Sequence, residues 1–309
     1  MTARLLRGLA LAAGASLLAA GSVSAGQPPK RLDPGLATPG WVVRAPRIHL
    51  LYWDNAWNDH HPYALRRGAI KSYVKALAGG SYLKPAAQYG VLGPATFANA
   101  YGTTLEDLPC GPRRPQTSIR TLTVHLWVTC ELAPSPLVPG FTLAGGLIPT
   151  PLIPVSNQLY VVFVPSRTTI TDSLTLDLPD VNGQRVGPWK LKRTACVDYG
   201  AYHAFTLAPT PLPTWVAYAV IPVRCANGSF DRLAAAISHE IVETATDPIL
   251  NLGWIDRSLP LLEPDFRRFS AGEAADICGS EGAAPTPPRR VGSYVYAPYW
   301  SNRDGRCVP

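Results

Sequence analysis

Residues 237–248 read ISHEIVETATDP, preceded at 227–236 by NGSFDRLAAA. The two together have the marks of one long helix. Ser229 is a natural N-cap and Asp231 suits the positive end of the helix dipole. Asp247-Pro248 closes it, because a residue before proline avoids helical angles. At about 100° per residue, Leu233, Ile237 and Ile241 fall on one side. His239 and Glu243, one turn apart, share roughly the opposite side, with Glu240 beside them and the small residues Ala235 and Ala236 nearby. An apolar back and a small, polar front describe a helix laid on a sheet, with its chemical face turned to a cleft.

An imidazole and a carboxylate at i and i+4 project from adjacent turns and can grip one divalent ion. A carboxylate next to the histidine, here Glu240, is placed to act as general base on a water polarised by that ion. The spacing is H-E-x-x-E, not the more specific H-E-x-x-H, so the pattern needs a third ligand from elsewhere. FSAGEAADICGSEG, residues 269–282, supplies candidates: Glu273 and Asp276 lie three apart and Cys278 pins them. Either acid can be the ligand, the other orienting His239. Asp247, at a helix end where an acid is electrostatically poor, is expected on backbone amides of the following turn. Zn2+ is the expected ion, with Ca2+ on oxygen ligands as the lesser alternative. His203, in GAYHAF, is the best further histidine and is assigned with Glu240 to catalysis; Tyr299 is another candidate to stabilise an oxyanion. His49 and His125 sit in apolar stretches and read as core or edge residues, and His60-His61 as loop residues.

The flanking sequence predicts a mixed α/β sheet layered with helices. Strands are expected over 47–53, 121–129 and 158–166, then in CVDYGAYHAFTL (196–207) and TWVAYAVIPVRC (214–225). A helix over about 62–79 has Pro62 in its first turn and carries Leu65, Ala69, Tyr73 and Ala76 on one stripe. The proline-punctuated residues 132–156 read as an ordered insert or lid, since proline suits neither helix nor sheet interior. Asn227-Gly228-Ser229 matches a glycosylation sequon, and a tight turn explains it equally well.

The chain opens with two arginines, an apolar stretch over 8–20 and a small-residue cleavage signature at Val23-Ser24-Ala25. Residues 1–25 therefore read as a secretory signal peptide, and no apolar run is long enough to span a bilayer. Residues 26–45, rich in Pro and Gly, read as a flexible lead-in to a single domain over 46–309. The six cysteines, Cys110, Cys130, Cys196, Cys225, Cys278 and Cys307, fit three disulfides of an exported protein, extracellular or periplasmic. Nearest-neighbour pairing is favoured. The net charge of +7 is spread without basic runs, which argues against a nucleic-acid partner.

RIHLLYWDNAW (47–57), CVDYGAYHAF (196–205), WVAYAVIPVRC (215–225), ISHEIVETATDP, GWID (253–256), GEAADICG (272–279) and PYWSNRDGRC (298–307) occur in an order that resembles the phosphate-induced, Exordium-like secreted family. The resemblance spans about residues 46–309. It implies a secreted, cell-wall-associated protein, and it makes Glu243 the family's form rather than a lesion. The helix itself is similar to the active helix of zincin-type metallopeptidases, which implies a zincin-like domain. The insert at 132–156 and the cysteine layout around 196–225 depart from the plant members. Two functions stay open. One is a secreted metallohydrolase, peptidase-like, with metal on His239, Glu243 and Glu273 or Asp276, acting on a peptide. The other is a non-catalytic protein that binds a cell-surface or cell-wall polymer. A monomer is expected in both.

Overall fold

The computed structural model describes residues 31–34, 41–53, 57, 64–101, 110, 116–132, 154–176, 189–208, 214–249, 252–256, 272–279 and 286–309. The signal peptide, His60-His61, Pro62 and nearly all of the Pro-rich insert lie outside these residues.

Five strands form the main sheet: β1 (Arg47–Tyr52), β2 (Thr96–Tyr101), β3 (Val155–Val164), β4 (Tyr202–Ala208) and β5 (Thr214–Pro222). Their order is β2-β1-β3-β5-β4. All neighbours run parallel except β4, which lies antiparallel to β5 at one edge. Three helices layer it: α1 (Ala64–Gly79), α2 (Thr121–Glu131) and α3 (Phe230–Thr246). The chain is thus α/β with a mixed sheet.

Sheet alternation feeds two cores. Leu50, Tyr52, Leu159, Val161, Phe163, Ala219 and Ile221 point to the face covered by α1 and α3. Their neighbours Leu51, Trp53, Val162, Val164, Tyr218 and Val220 point to the other face, packed by α2. Strands buried on both faces read as unbroken apolar runs, which is why LLYW and YVVFV show no polar alternation. Three disulfides, Cys110–Cys130, Cys196–Cys225 and Cys278–Cys307, join nearest neighbours as expected. Among the described residues no helix is long and apolar enough to cross a membrane; this and the disulfides are compatible with export.

Residues 121–129 form α2 and not a strand. Their alternation would put Leu122, Val124, Leu126 and Val128 on one strand face. Instead Val124, Trp127 and Val128 bury at i, i+3 and i+4, while Leu122 and Leu126 are each 53% exposed. Trp127 meets Trp53 edge-on at 4.9 Å between ring centroids, and Cys130 is bonded to Cys110. Packing on the sheet overrides the β-branched propensity. On α1 the buried stripe is Ile70, Tyr73, Val74 and Leu77; Tyr73 belongs to the expected face, but Ala69 and Ala76 are only half-buried. The described parts of the lead-in, 31–34 and 41–45, make contacts with the domain. Asp33–Pro34 pairs with Trp254–Ile255, and the Val43 amide donates to the Ala245 carbonyl at 2.9 Å. Leu32 and Val43 are fully buried, so apolar anchors outweigh the Pro/Gly content around them.

Candidate metal centre

Three segments meet over the polar face of α3. The helix starts as the sequence indicates: Ser229 accepts from the Arg232 amide at 3.3 Å. Leu233, Ile237 and Ile241 seat it in the core. Its position is fixed by tyrosines from α1 and the segment just after it, on the same face of the sheet. Tyr73 donates to the Ala234 carbonyl at 2.8 Å and Tyr82 to the Ser238 carbonyl at 3.2 Å. Ser238 Oγ in turn accepts from the Ala297 amide at 2.8 Å. These anchors have no motif, and the sequence reading missed them.

His239, Glu240 and Glu243 come from α3, His203 from the edge strand β4, and Glu273 and Asp276 from the turn 272–279. Gly253 lets the segment 252–256 lie against the end of α3, and Gly272 lets the turn lie against Asp256 of that segment. A side chain at Gly253 would meet the Thr246 carbonyl oxygen at 2.2 Å. Gly272 has φ +98°, and its carbonyl accepts from the Asp256 amide at 2.8 Å. Beyond it, the Trp300 amide donates to the Ala274 carbonyl at 2.7 Å and Cys278 is tied to Cys307. The turn is held by C-terminal residues as well as by its own bonds.

Two groups result. In the outer one, His239 Nε2 lies 3.0 Å from Glu243 Oε2 and 3.1 Å from Asp276 Oδ1. Glu243 Oε1 accepts from the Asp276 amide at 3.1 Å, which leaves Oε2 for His239. The side chains of His239 and Asp276 are 25% and 17% exposed, so this group opens to solvent. In the inner one, His203 Nδ1 lies 3.6 Å from Glu240 Oε2 and 4.0 Å from Glu243 Oε2. His203 Nε2 is 3.0 Å from the Asp247 carbonyl and 3.7 Å from Glu273 Oε1. Every inner side chain is buried. Glu240 Oε2 and Glu273 Oε1 are buried with no hydrogen-bond partner.

The structure therefore divides the two acids downstream of α3. Asp276 joins His239 and Glu243, while Glu273 turns inward to His203. Asp247 takes its expected part, with Oδ1 accepting from the Gly253 amide at 2.6 Å. Its carboxylate also comes within ligand spacing of His203 and Glu273, a placement the sequence reading did not give it. Tyr299 is fully buried and its hydroxyl donates to the Tyr82 carbonyl at 2.7 Å, so it serves the scaffold. His49 bonds Gln158 and stacks on Tyr160, and His125 bonds the Tyr218 hydroxyl; burial lowers the pKa of both.

Crowded buried charge displaces the titrations. Burial alone would lower His203, but Glu240, Glu243 and Asp247 outweigh it and bring its pKa up to about 9. Burial likewise opposes the charge on His239, and Glu243 and Asp276 overcome it, holding the imidazole well above its usual value. Burial, then Asp276, pushes Glu243 up to about 7 against the pull of His239. Burial and the carboxylates of Glu243, Asp247, Asp276 and Glu240 hold Glu273 well above the carboxylate range. Among the described residues, Glu240, Glu243, Glu273 and Asp276 have no cationic partner except the two imidazoles. Without an added cation, protons must supply the missing positive charge.

The chain matches no family model, no curated protein and no solved structure.

Proposed function

We propose that this is an exported metal-binding protein of zincin-like design, holding a zinc-class divalent ion on His239, Glu243 and Asp276 and acting as a hydrolase on a peptide or cell-surface polymer. The observation that carries the reading is the outer triad. One nitrogen and two carboxylate oxygens stand 3.0 and 3.1 Å apart, close to the ligand separation of about 3.4 Å around a tetrahedral ion with bonds near 2.1 Å. The donor set is too small and too nitrogen-bearing for calcium, which takes about 6–8 oxygens. The buried, unpartnered oxygen of Glu240 fits a site that awaits charge compensation. Kinship with the Exordium-like family, proposed on the motifs alone, agrees with export and a cell-surface setting.

A bound zinc-class ion would supply Lewis acidity and lower the pKa of a water. The chain's own residues would do the rest. Glu240 accepts and returns the proton, His203 stands beside that carboxylate with Nδ1 3.6 Å from Oε2, and the Asp247 carbonyl fixes the His203 ring through Nε2. The exposed flank of His239 and Asp276 is where substrate would enter.

Metal analysis of the purified chain tests the reading: at least one tightly held divalent ion per chain, with a lower Tm on chelation, is expected. Absence of both would overturn it. The sealed inner group also favours a second reading, a non-catalytic surface-binding protein in which the ion is a staple. Glu240→Gln separates the two. In the hydrolase it keeps the ion on His239 and abolishes cleavage of a mixed peptide library; an ion-loaded wild type that cleaves nothing supports the staple.

A further inference from the structure

Charge is the clue to what else the centre holds. Five carboxylates, Glu240, Glu243, Asp247, Glu273 and Asp276, surround two imidazoles in overlapping groups, each at ligand spacing. One divalent ion on the outer triad leaves the inner carboxylates facing one another across His203. A buried carboxylate without a partner is costly, and the usual remedies are hydrogen bonds, a counter-charge or a metal.

The inner geometry leaves Glu240 Oε2 and Glu273 Oε1 without a hydrogen bond. His203 Nδ1 stands 3.6 Å from Glu240 Oε2 and 4.0 Å from Glu243 Oε2, beyond ordinary hydrogen-bond reach. Yet all three atoms lie within 4.8 Å of one another, the spacing of ligands that share an ion. Glu240, only 4% exposed, turns Oε2 into this gap with no hydrogen-bond partner. His203 has the arrangement of a metal-ligating histidine. Its Nε2 is 3.0 Å from the Asp247 carbonyl, and donation there selects the tautomer whose Nδ1 lone pair faces Glu240 and Glu243. The two imidazoles fall in different groups, so a single compact shell does not take both. Glu243 Oε2 belongs to both groups.

We propose that His203 Nδ1, Glu240 and Glu243 form a second, inner subsite for a transition-type divalent ion, joined to the outer one through the Glu243 carboxylate as a bridged two-ion centre. The proposal rests on the outer site being a metal site. The outer ligands stay as assigned. With two ions bound, Glu240 is a ligand of the inner ion, and its part as proton acceptor belongs to the one-ion state alone. A two-ion centre suits hydrolysis, because the ions can polarise the substrate and stabilise the attacking and leaving oxygens together.

The test is zinc stoichiometry of the full folded chain, exhaustively dialysed against zinc at low free concentration, in wild type and single variants. Two ions are expected in wild type, one in His203→Ala and one in His239→Ala. Neither ion is expected to be tightly held in Glu243→Ala, because the bridge serves both. One ion in wild type and one in His203→Ala would overturn the inner subsite while leaving the outer reading intact. No ion in wild type would overturn both. Two ions in both wild type and His203→Ala would place the second ion elsewhere and also overturn the proposal. Should an alanine variant fail to fold, Glu240→Gln keeps the shape. It is expected to weaken the second binding step at least about tenfold with the first unchanged, and two unaltered steps would overturn the proposal.

Discussion

Helices α2 and α3 pack on opposite faces of one sheet and solve different problems. Helix α2 buries Val124, Trp127 and Val128 and leaves Leu122 and Leu126 in solvent. It is held by apolar contact, a disulfide and neutral hydrogen bonds between His125 and Tyr218 and between Thr129 and Thr206. Helix α3 buries an apolar back and also, on its front, Glu240 and Glu243. Packing and neutral contacts explain the first helix. The second demands a counter-charge, and the contrast marks α3 as the element shaped by chemistry rather than by packing.

The largest expected effect removes that counter-charge. His239→Ala should weaken divalent-ion binding at the outer triad at least about 100-fold in an isothermal titration, with the fold kept when the ion is chelated. Unchanged affinity would make the two helices alike. Next is Gly253→Ala. Its methyl has no space beside Thr246 and Asp247, so the segment that feeds the turn 272–279 must shift. A loss of roughly 3 kcal/mol by chemical denaturation, together with weaker ion binding, is expected. Val128→Ala should cost about 2 kcal/mol through the cavity under α2 and leave ion binding untouched.

Acidity sharpens the contrast in a graded way. In chelated protein, Glu243 and His203 both have folded pKa values above their usual ones, about 7 and about 9. Each contributes stability that is full below its unfolded pKa and is lost as pH rises through the folded one. The chelated protein should therefore melt lower as pH rises from about 5 to about 9. The ion-loaded protein should show a growing advantage over the same range, since the ligands must be deprotonated to bind. A chelated Tm that climbed across that interval would contradict the buried-cluster account. The smallest effect belongs to Leu126→Ala, expected within about 0.5 kcal/mol because the side chain is exposed. If Leu126→Ala cost as much as Val128→Ala, the helical phasing of α2 would be wrong.

The same contrast explains what the sequence made legible. In α3 the polar and apolar residues separate at helical spacing, Ser229 caps one end and Asp247-Pro248 the other, so position and face could both be read. In α2 every second residue is apolar and several are β-branched, and only the packing of Trp127 against Trp53 decides for a helix. Glu273 and Asp276 were visible as a pair, but not which faced which histidine. That depends on the positive φ of Gly272 and the bond from Trp300 to Ala274, neither carried by the acids themselves. His203 could be singled out, because a histidine just before the strand that feeds the helix is close in topology. The tyrosines that position α3 could not, because their hydroxyls meet backbone carbonyls and leave no pattern of paired side chains.

The tether from Cys278 to Cys307 has a consequence in time. The segment that presents Asp276 is steadied by residues a ribosome makes later, Trp300 and Cys307 among them. A nascent chain that has just displayed His239 and Glu243 has two of the three outer residues and lacks the contacts that fix Asp276. The covalent part of that fixing needs an oxidising compartment. An ion held on the outer triad, as proposed, would thus be captured late, after synthesis of residue 307 and oxidation of its thiol, and would be drawn from wherever the disulfide is made.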